Sequence, residues 1–318
     1  MLATPSFFHK DHVGDLYVER PWEVAEAARK LKELKWVKPS TQDNPRIAVL
    51  AIDCQVDFCS PKGSLYVKGA EKDLERVLLW FYKNIHLLTD LYFTLDTHHI
   101  HQIFHPAWWV DLSGRNPPPL TVITADEVKN GTWIPTKYSK ESLLYLEALE
   151  SQSYRHTIWP YHALQGTSGH ALMPSLSEAA LYHSILREST THFEFKGTHP
   201  LTESYSVFKP EVTQVGDLKV GSLNTVLLDQ LKTYDRVYVF GQASSHCVAE
   251  SLKDIVKNST PEEVSKFHVL VDGMSPVPPP PLNPLPSGLN FPKIAEEMLK
   301  FVEEKGMVLT KTSEEISF

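Results

Sequence analysis

VYVFGQASSHCVAESLKDIVK, residues 237–257, is the stretch whose reading decides the fold. Its first four residues are β-branched, aromatic and apolar, the composition of a buried strand. Gly241 ends that strand. After a short loop, residues 242–246, Val248, Leu252, Ile255 and Val256 recur at helical spacing behind Cys247. Cys247 is therefore expected in the first turn of a helix, just past the carboxyl end of a strand. Unpaired N–H groups and the positive end of the helix dipole converge at such a place. A thiolate is favoured there, and the same N–H groups can bind an oxyanion. The ordinary alternative is a small buried hydrophobe, since free cysteine is among the most buried residue types.

The same strand-then-helix pattern recurs outward from this stretch. RIAVLAI, residues 46–52, reads as a fully buried strand and runs into DCQVDF, which begins at Asp53. A helix over residues 71–87 turns Leu74, Val77, Leu78, Phe81 and Ile85 inward. A second strand, LYFTL, ends at Asp96, and residues 192–195 form another that leads into Lys196 and Gly197. Strands are also expected over 268–271 and 307–310, and helices over 142–149, 176–186, 223–231 and 291–302, with Ser222 as an N-cap. Apolar strands alternating with helices predict an α/β protein. The expected form is a three-layer α/β/α sandwich with a mainly parallel central sheet of about six strands.

Residues 1–45 read as an N-terminal extension ahead of a single domain, 46–318. Pro21 suits a helix start, and Val24, Ala27, Ala28, Leu31 and Leu34 share one face of the helix that follows. Residues 111–140 are irregular, a candidate lid over the strand ends. Residues 276–286 are proline-rich and read as a stiff connection to the last helix. A length of 318 residues supports one large core, and a net charge of −8 gives no reason to expect nucleic acid or an anionic membrane as partner. Cys54, Cys59 and Cys247 make no disulfide framework and fit a reducing compartment. With no apolar leader or membrane-length run, the chain reads as cytoplasmic.

Ligands of a parallel sheet bind beyond the carboxyl ends of its strands. Asp53, Asp96, Lys196 and Cys247 all fall there. A thiol at neutral pH needs a neighbouring base or cation to become a good nucleophile. Asp53 can accept its proton, and Lys196 can stabilise the ionised pair. His246 adjoins Cys247, but consecutive residues on a turn point apart, so it ranks low as the base. A second constellation suits a metal. Asp96 and His98 lie two apart after a strand, and His162 follows a Trp-Pro turn. Carboxylate with imidazole suits zinc, iron or manganese. His105 is a candidate fourth ligand, ahead of His99 and His101.

Five blocks together, AIDCQVDF with GSLYVKGA, LDTHHIHQIFH, WPYHALQGTSGHAL, FKG followed by YSVF, and VFGQASSHCVAESLKD, resemble the isochorismatase-like cysteine hydrolases. Within that superfamily the resemblance is strongest to the nicotinamidases. It implies the isochorismatase-like hydrolase fold and a triad of Asp53, Lys196 and Cys247. It also implies an oxyanion hole at the N–H groups of Ala243 and Cys247, and a cis peptide at Gln242–Ala243. Asp96, His98 and His162 then correspond to the family's metal ligands, with zinc the first expectation and iron or manganese alternatives. Phe58, Trp159 and Tyr205 correspond to substrate-lining positions. The implied partner is a small amide, cleaved to acid and ammonia through a thioester, and self-association is a further expectation. Ala163 stands where many nicotinamidases carry Cys, and the loop between His98 and His162 is longer than in compact members. These departures leave open a metal-independent carbamoyl or ureido amidohydrolase. A silent binding protein is disfavoured by the intact Asp–Lys–Cys set, and Cys247 argues against the vinyl-ether-cleaving branch.

Overall fold

The computed structural model describes residues 2–33, 37–281, 284–285 and 287–317. Strands β1 (Ile47–Ile52), β2 (Asp90–Asp96), β3 (Thr191–Lys196), β4 (Arg236–Gly241), β5 (Phe267–Leu270) and β6 (Val308–Thr310) form one parallel sheet. Their spatial order is β6-β5-β4-β1-β2-β3. The chain lays down β1 to β3 in one direction, returns to the other side of β1, and lays down β4 to β6. The reversal lies between β1 and β4, where open α/β sheets form their ligand crevice. Among the described residues, three pairs of two-residue strands stand outside this sheet.

All six residues of β1 are buried, and alternate ones enter different cores. Ile47, Val49 and Ala51 join helices α1 (Pro21–Lys32), α2 (Ala70–Asn84), α3 (Ser139–Ser151) and α4 (Pro174–Arg187) on one face. Ala48, Leu50 and Ile52 join α5 (Thr225–Lys232), α6 (Cys247–Lys257) and α7 (Phe291–Glu304) on the other. This is the expected three-layer sandwich. Each fully buried aliphatic side chain contributes about 1.5–3 kcal/mol to holding it together.

Several element bounds differ from the sequence reading. Helix α5 begins at Thr225, and its N-cap is Asn224, which accepts from Leu227 N–H at 3.1 Å, in place of Ser222. Asn224 prevails because its side-chain oxygen reaches the open N–H of the first turn. Helix α3 is longer than expected, because a polar start at Ser139 precedes its apolar face. Residues 111–140 are not formless: Ala125–Lys129 is a short helix with a Thr124/Glu127 capping box. Helix α1 packs Val24, Ala25 and Ala28 against the body of the protein, and Leu34 lies outside the described residues. Near its start, Arg20 grips the buried Glu178 of α4 at 2.9 Å. Among the described residues no helix is long and apolar enough to cross a membrane.

Candidate active site

The parallel register brings the carboxyl ends of β1 to β4 to one edge. Asp96 and Lys196 are direct cross-strand partners on β2 and β3, and Ile52 faces Gly241 across β1 and β4. The β1 and β4 ends approach so closely that a Cβ on Gly241 would lie 2.0 Å from the Ile52 carbonyl oxygen, at φ +134°. Only glycine fits there. The Gln242–Ala243 peptide that follows is cis, as expected.

Lys196 is the centre of the cluster. Its Nζ lies 2.9 Å from Asp53 Oδ2 and 2.9 Å from Asp96 Oδ1. It donates to the Ser204 carbonyl at 2.9 Å and faces Cys247 Sγ at 3.6 Å. Two ion pairs and two hydrogen bonds thus converge on the ammonium and pin it. Asp53 is fully buried, accepts from the Thr94 hydroxyl through Oδ1, and donates its own N–H to that hydroxyl at 3.0 Å. One carboxylate oxygen each of Asp53 and Asp96 and the Cys247 sulfur lie within 4.8 Å of one another.

Cys247 opens α6, as its position after β4 requires. Neither its N–H nor that of Ala243 donates to another described residue, so both are free to meet an oxyanion. Burial pushes the Cys247 thiol well above its ordinary pKa; Lys196 works the other way, and Asp53 and Asp96 reinforce the rise. An anion beside two carboxylates, out of water, is disfavoured more than one ammonium and a helix start can repay. Burial likewise raises Asp53 against the pull of Lys196. Burial opposes ionisation of Lys196, but the two carboxylates outweigh it, and its pKa stands well above the usual value. The sulfur therefore rests protonated beside a permanent ammonium. His246 is not its base: it hydrogen-bonds Ser245 Oγ at 2.8 Å, and burial pushes its pKa down to about 4.

Asp96 also faces the histidines. Its Oδ2 lies 2.9 Å from His98 Nε2 and 4.0 Å from His162 Nε2. His162 is distant in sequence, but its loop is stitched to the first by His98 N–H donating to Ala163 O at 3.0 Å. His98 Nδ1 donates to Gly197 O at 3.1 Å, and His162 Nδ1 to Pro160 O at 2.7 Å. With the far nitrogens tied to carbonyls, both Nε2 lone pairs turn toward Asp96, the tautomer that metal ligation selects. His98 Nε2 is buried and makes no hydrogen bond despite its short distance to the carboxylate. Burial and neighbouring His98 hold His162 neutral. Burial pushes His98 down as well, but Asp96 outweighs it and raises its proton affinity. Donors crowded without hydrogen bonds, on one carboxylate and two imidazoles, fit a divalent cation. Gly197 permits this crowding: a Cβ there would stand 2.6 Å from Asp96 Oδ1 and 2.6 Å from His98 Cε1. His105 is adjacent, with its ring 5.8 Å from that of His98, but its nitrogens fall outside the tight three-residue group. Its Nδ1 contacts the His99 carbonyl at 3.0 Å, and its buried Nε2 has no hydrogen-bond partner.

Phe58, Trp159 and Tyr205 line one recess with Cys247, Asp96 and His162. No residue of 111–140 does, so the expected lid is not part of this wall. Val277, from the proline-rich stretch, lines it instead. That stretch and Ser275 before it are sewn to the loop ahead of Cys247 by Ser244 N–H to Ser275 O at 2.9 Å and Val277 N–H to Ser245 Oγ at 3.1 Å. Three residues that the sequence reading passed over shape the site. Gln55 clamps the Asp96 backbone, accepting its N–H and donating to its carbonyl, both at 2.8 Å. Thr94 holds Asp53. Glu203 is buried in the recess wall, and burial raises its pKa to about 7, with His98 acting against the rise. A lone glutamate seven residues beyond Lys196, inside an otherwise uncharged run, was the available signal.

No protein-family model and no curated sequence matches this chain. Solved structures do. An Acinetobacter baumanii nicotinamidase/pyrazinamidase aligns with TM-score 0.53 at 20% identity, covering 86% of this chain and 98% of that one. The yeast nicotinamidase aligns with TM-score 0.53 at 16% identity, covering 83% of this chain and 99% of that one. The yeast enzyme bound to the inhibitor nicotinaldehyde gives TM-score 0.54 at 15% identity, with 83% and 99% covered. The chain has the fold of these proteins over nearly their whole length.

Proposed function

We propose that this protein is a cysteine amidohydrolase that cleaves a small heteroaromatic amide, nicotinamide first, to the acid and ammonia. The observation that carries this reading is Lys196 Nζ, 2.9 Å from Asp53 and 3.6 Å from Cys247, beside two open N–H groups. Cys247 attacks the amide carbonyl as Asp53 takes the thiol proton. The base comes into play at attack because the sulfur rests protonated. Lys196 keeps the carboxylate oriented and offsets the charge that develops on sulfur and on the neighbouring carboxylates. The N–H groups of Ala243 and Cys247 meet the oxyanion. Asp53 passes its proton to the departing nitrogen, and ammonia leaves a thioester on Cys247. Asp53 then deprotonates a water that attacks the thioester, and the sulfur recovers the proton.

Asp96, His98 and His162 would hold a divalent ion, zinc before iron or manganese, and its Lewis acidity would anchor a ring nitrogen of the substrate. Phe58 and Trp159 give the ring apolar walls, and Tyr205 offers a hydroxyl that already accepts from Trp159 Nε1 at 3.0 Å. The donor arrangement around Asp96 favours this reading over a metal-independent carbamoyl or ureido hydrolase. Ammonia release from nicotinamide by purified, metal-replete protein is the direct test. Absence of turnover rejects the reading, and turnover lost in Cys247→Ala supports it.

A further inference from the structure

Three cavities adjoin one another through shared lining residues, beginning at Cys247. The first is the recess that holds Cys247, with ≈ 30 Å³ open to the centre of a water molecule. The middle one offers ≈ 10 Å³, about the space of a single water. The outer one offers ≈ 250 Å³ and is lined by the charged residues Lys209, Glu250 and Lys257. The first and middle cavities share two lining side chains, Glu203 and Tyr205. The middle and outer cavities share Tyr154 and Glu211. Each partition is therefore a pair of side chains.

The middle cavity is built to host a small polar molecule. Tyr145 lines it, and its fully buried hydroxyl makes no hydrogen bond. Leaving such a group unsatisfied is unfavourable, and a water-sized guest would relieve it. The partitions are anchored from outside. The Glu211 carboxylate accepts from Tyr205 N–H at 3.1 Å, and the Tyr154 hydroxyl donates to Glu250 at 2.7 Å.

We propose that these cavities form a rear passage, carrying ammonia from Cys247 to solvent and water inward while the aromatic acyl group fills the front recess. The proposal rests on the amidase reading. In that reaction the C–N bond breaks as the C–S bond forms, and the thiol proton departs with the nitrogen through Asp53. Water then adds to the carbonyl carbon as the C–S bond breaks. One water-sized product must leave and one water-sized reactant must enter while the ring stays in place. A neck with room for one water admits either and stops the ring. Carboxyl groups along the way, on Glu203, Glu211 and Glu250, offer acceptors to ammonia and water.

Leu149 lines the middle cavity and touches neither the nucleophile nor the recess. Leu149→Phe fills the neck. It is expected to lower kcat for nicotinamide about tenfold, since exchange of small molecules becomes limiting. Nicotinate affinity, measured by calorimetry, should stay within about twofold because the front recess is untouched. If Leu149→Phe does not yield folded protein, Thr157→Leu at another wall of the same cavity carries the same expectation. A folded variant with wild-type kcat overturns the passage, as does a matching loss of nicotinate affinity, which would trace the effect to a distorted recess. No turnover by the wild-type protein overturns passage and amidase together; wild-type turnover matched by the filled variant overturns the passage alone.

Discussion

Two ionisable clusters meet at the strand ends and share Asp96, yet their charges are balanced in different ways. Around Lys196, one ammonium faces Asp53, Asp96 and a protonated Cys247, so the cluster carries its own counter-charge. Around His98 and His162, donor atoms converge with no cation of the chain's own between them. Their Nδ1 atoms are tied to Gly197 and Pro160, which leaves Nε2 facing inward. On the proposed reading, the first cluster supplies nucleophile, base and cation, and the second would take a divalent ion. Strand ends position the first and loops position the second, so the two should fail separately.

The sharpest break is at sulfur. Cys247→Ala should reduce ammonia release from nicotinamide by about 10⁴-fold or more while stoichiometric metal binding persists. Equal activity in the variant would transfer the chemistry to the other cluster. Next is the shared counter-charge. Lys196→Met leaves Asp53 and Asp96 buried without their ammonium, and should cost about 3–5 kcal/mol in denaturant unfolding. An unchanged midpoint would show that the carboxylates do not depend on it.

The opposite break removes the loop cluster alone. His98→Ala should weaken zinc binding by at least about tenfold, read by elemental analysis after dialysis, and leave iodoacetamide labelling of Cys247 within about twofold of wild type. Loss of labelling would mean that the clusters act as one. The protonation state of the sulfur can be read by pH. A raised pKa means that the proton stays on until the pH passes the ordinary thiol value. Cys247 alkylation should therefore still be rising at pH 9.0, where a preformed thiolate would already be flat. The smallest effect separates the recess wall from the excursion beside it. Val277→Ala should change KM a few-fold. Leu112→Ser, at an 86% exposed position, should shift stability by less than about 0.5 kcal/mol and leave KM alone.

The legible parts of the site are those whose position follows from backbone periodicity. Asp53 follows the last residue of β1, Asp96 and Lys196 end β2 and β3, and Cys247 begins the helix after β4, so one inference about parallel strands brought all four to the same edge. His162 was singled out by its place after a Trp-Pro turn, and its meeting with His98 depends on the Ala163 hydrogen bond between two loops. Gln55 and Thr94 escaped notice because each acts through a contact with a residue remote in sequence, and Glu203 because its place in the recess wall arises only on folding. Alternation of apolar and polar residues does not encode such contacts. The excursion at 111–140 met the same limit: it contributes no residue to the recess wall. Composition marks a loop as irregular but does not say over which surface it lies.

The amino-acid order alone therefore determined the layering, the parallel sheet and the edge at which the reactive groups gather, because strand and helix periods are local properties. Tertiary structure decided the protonation of Cys247, the inward turn of the imidazoles and the use of Val277 as a wall. Burial, charge balance and close approach exist only once distant segments pack together.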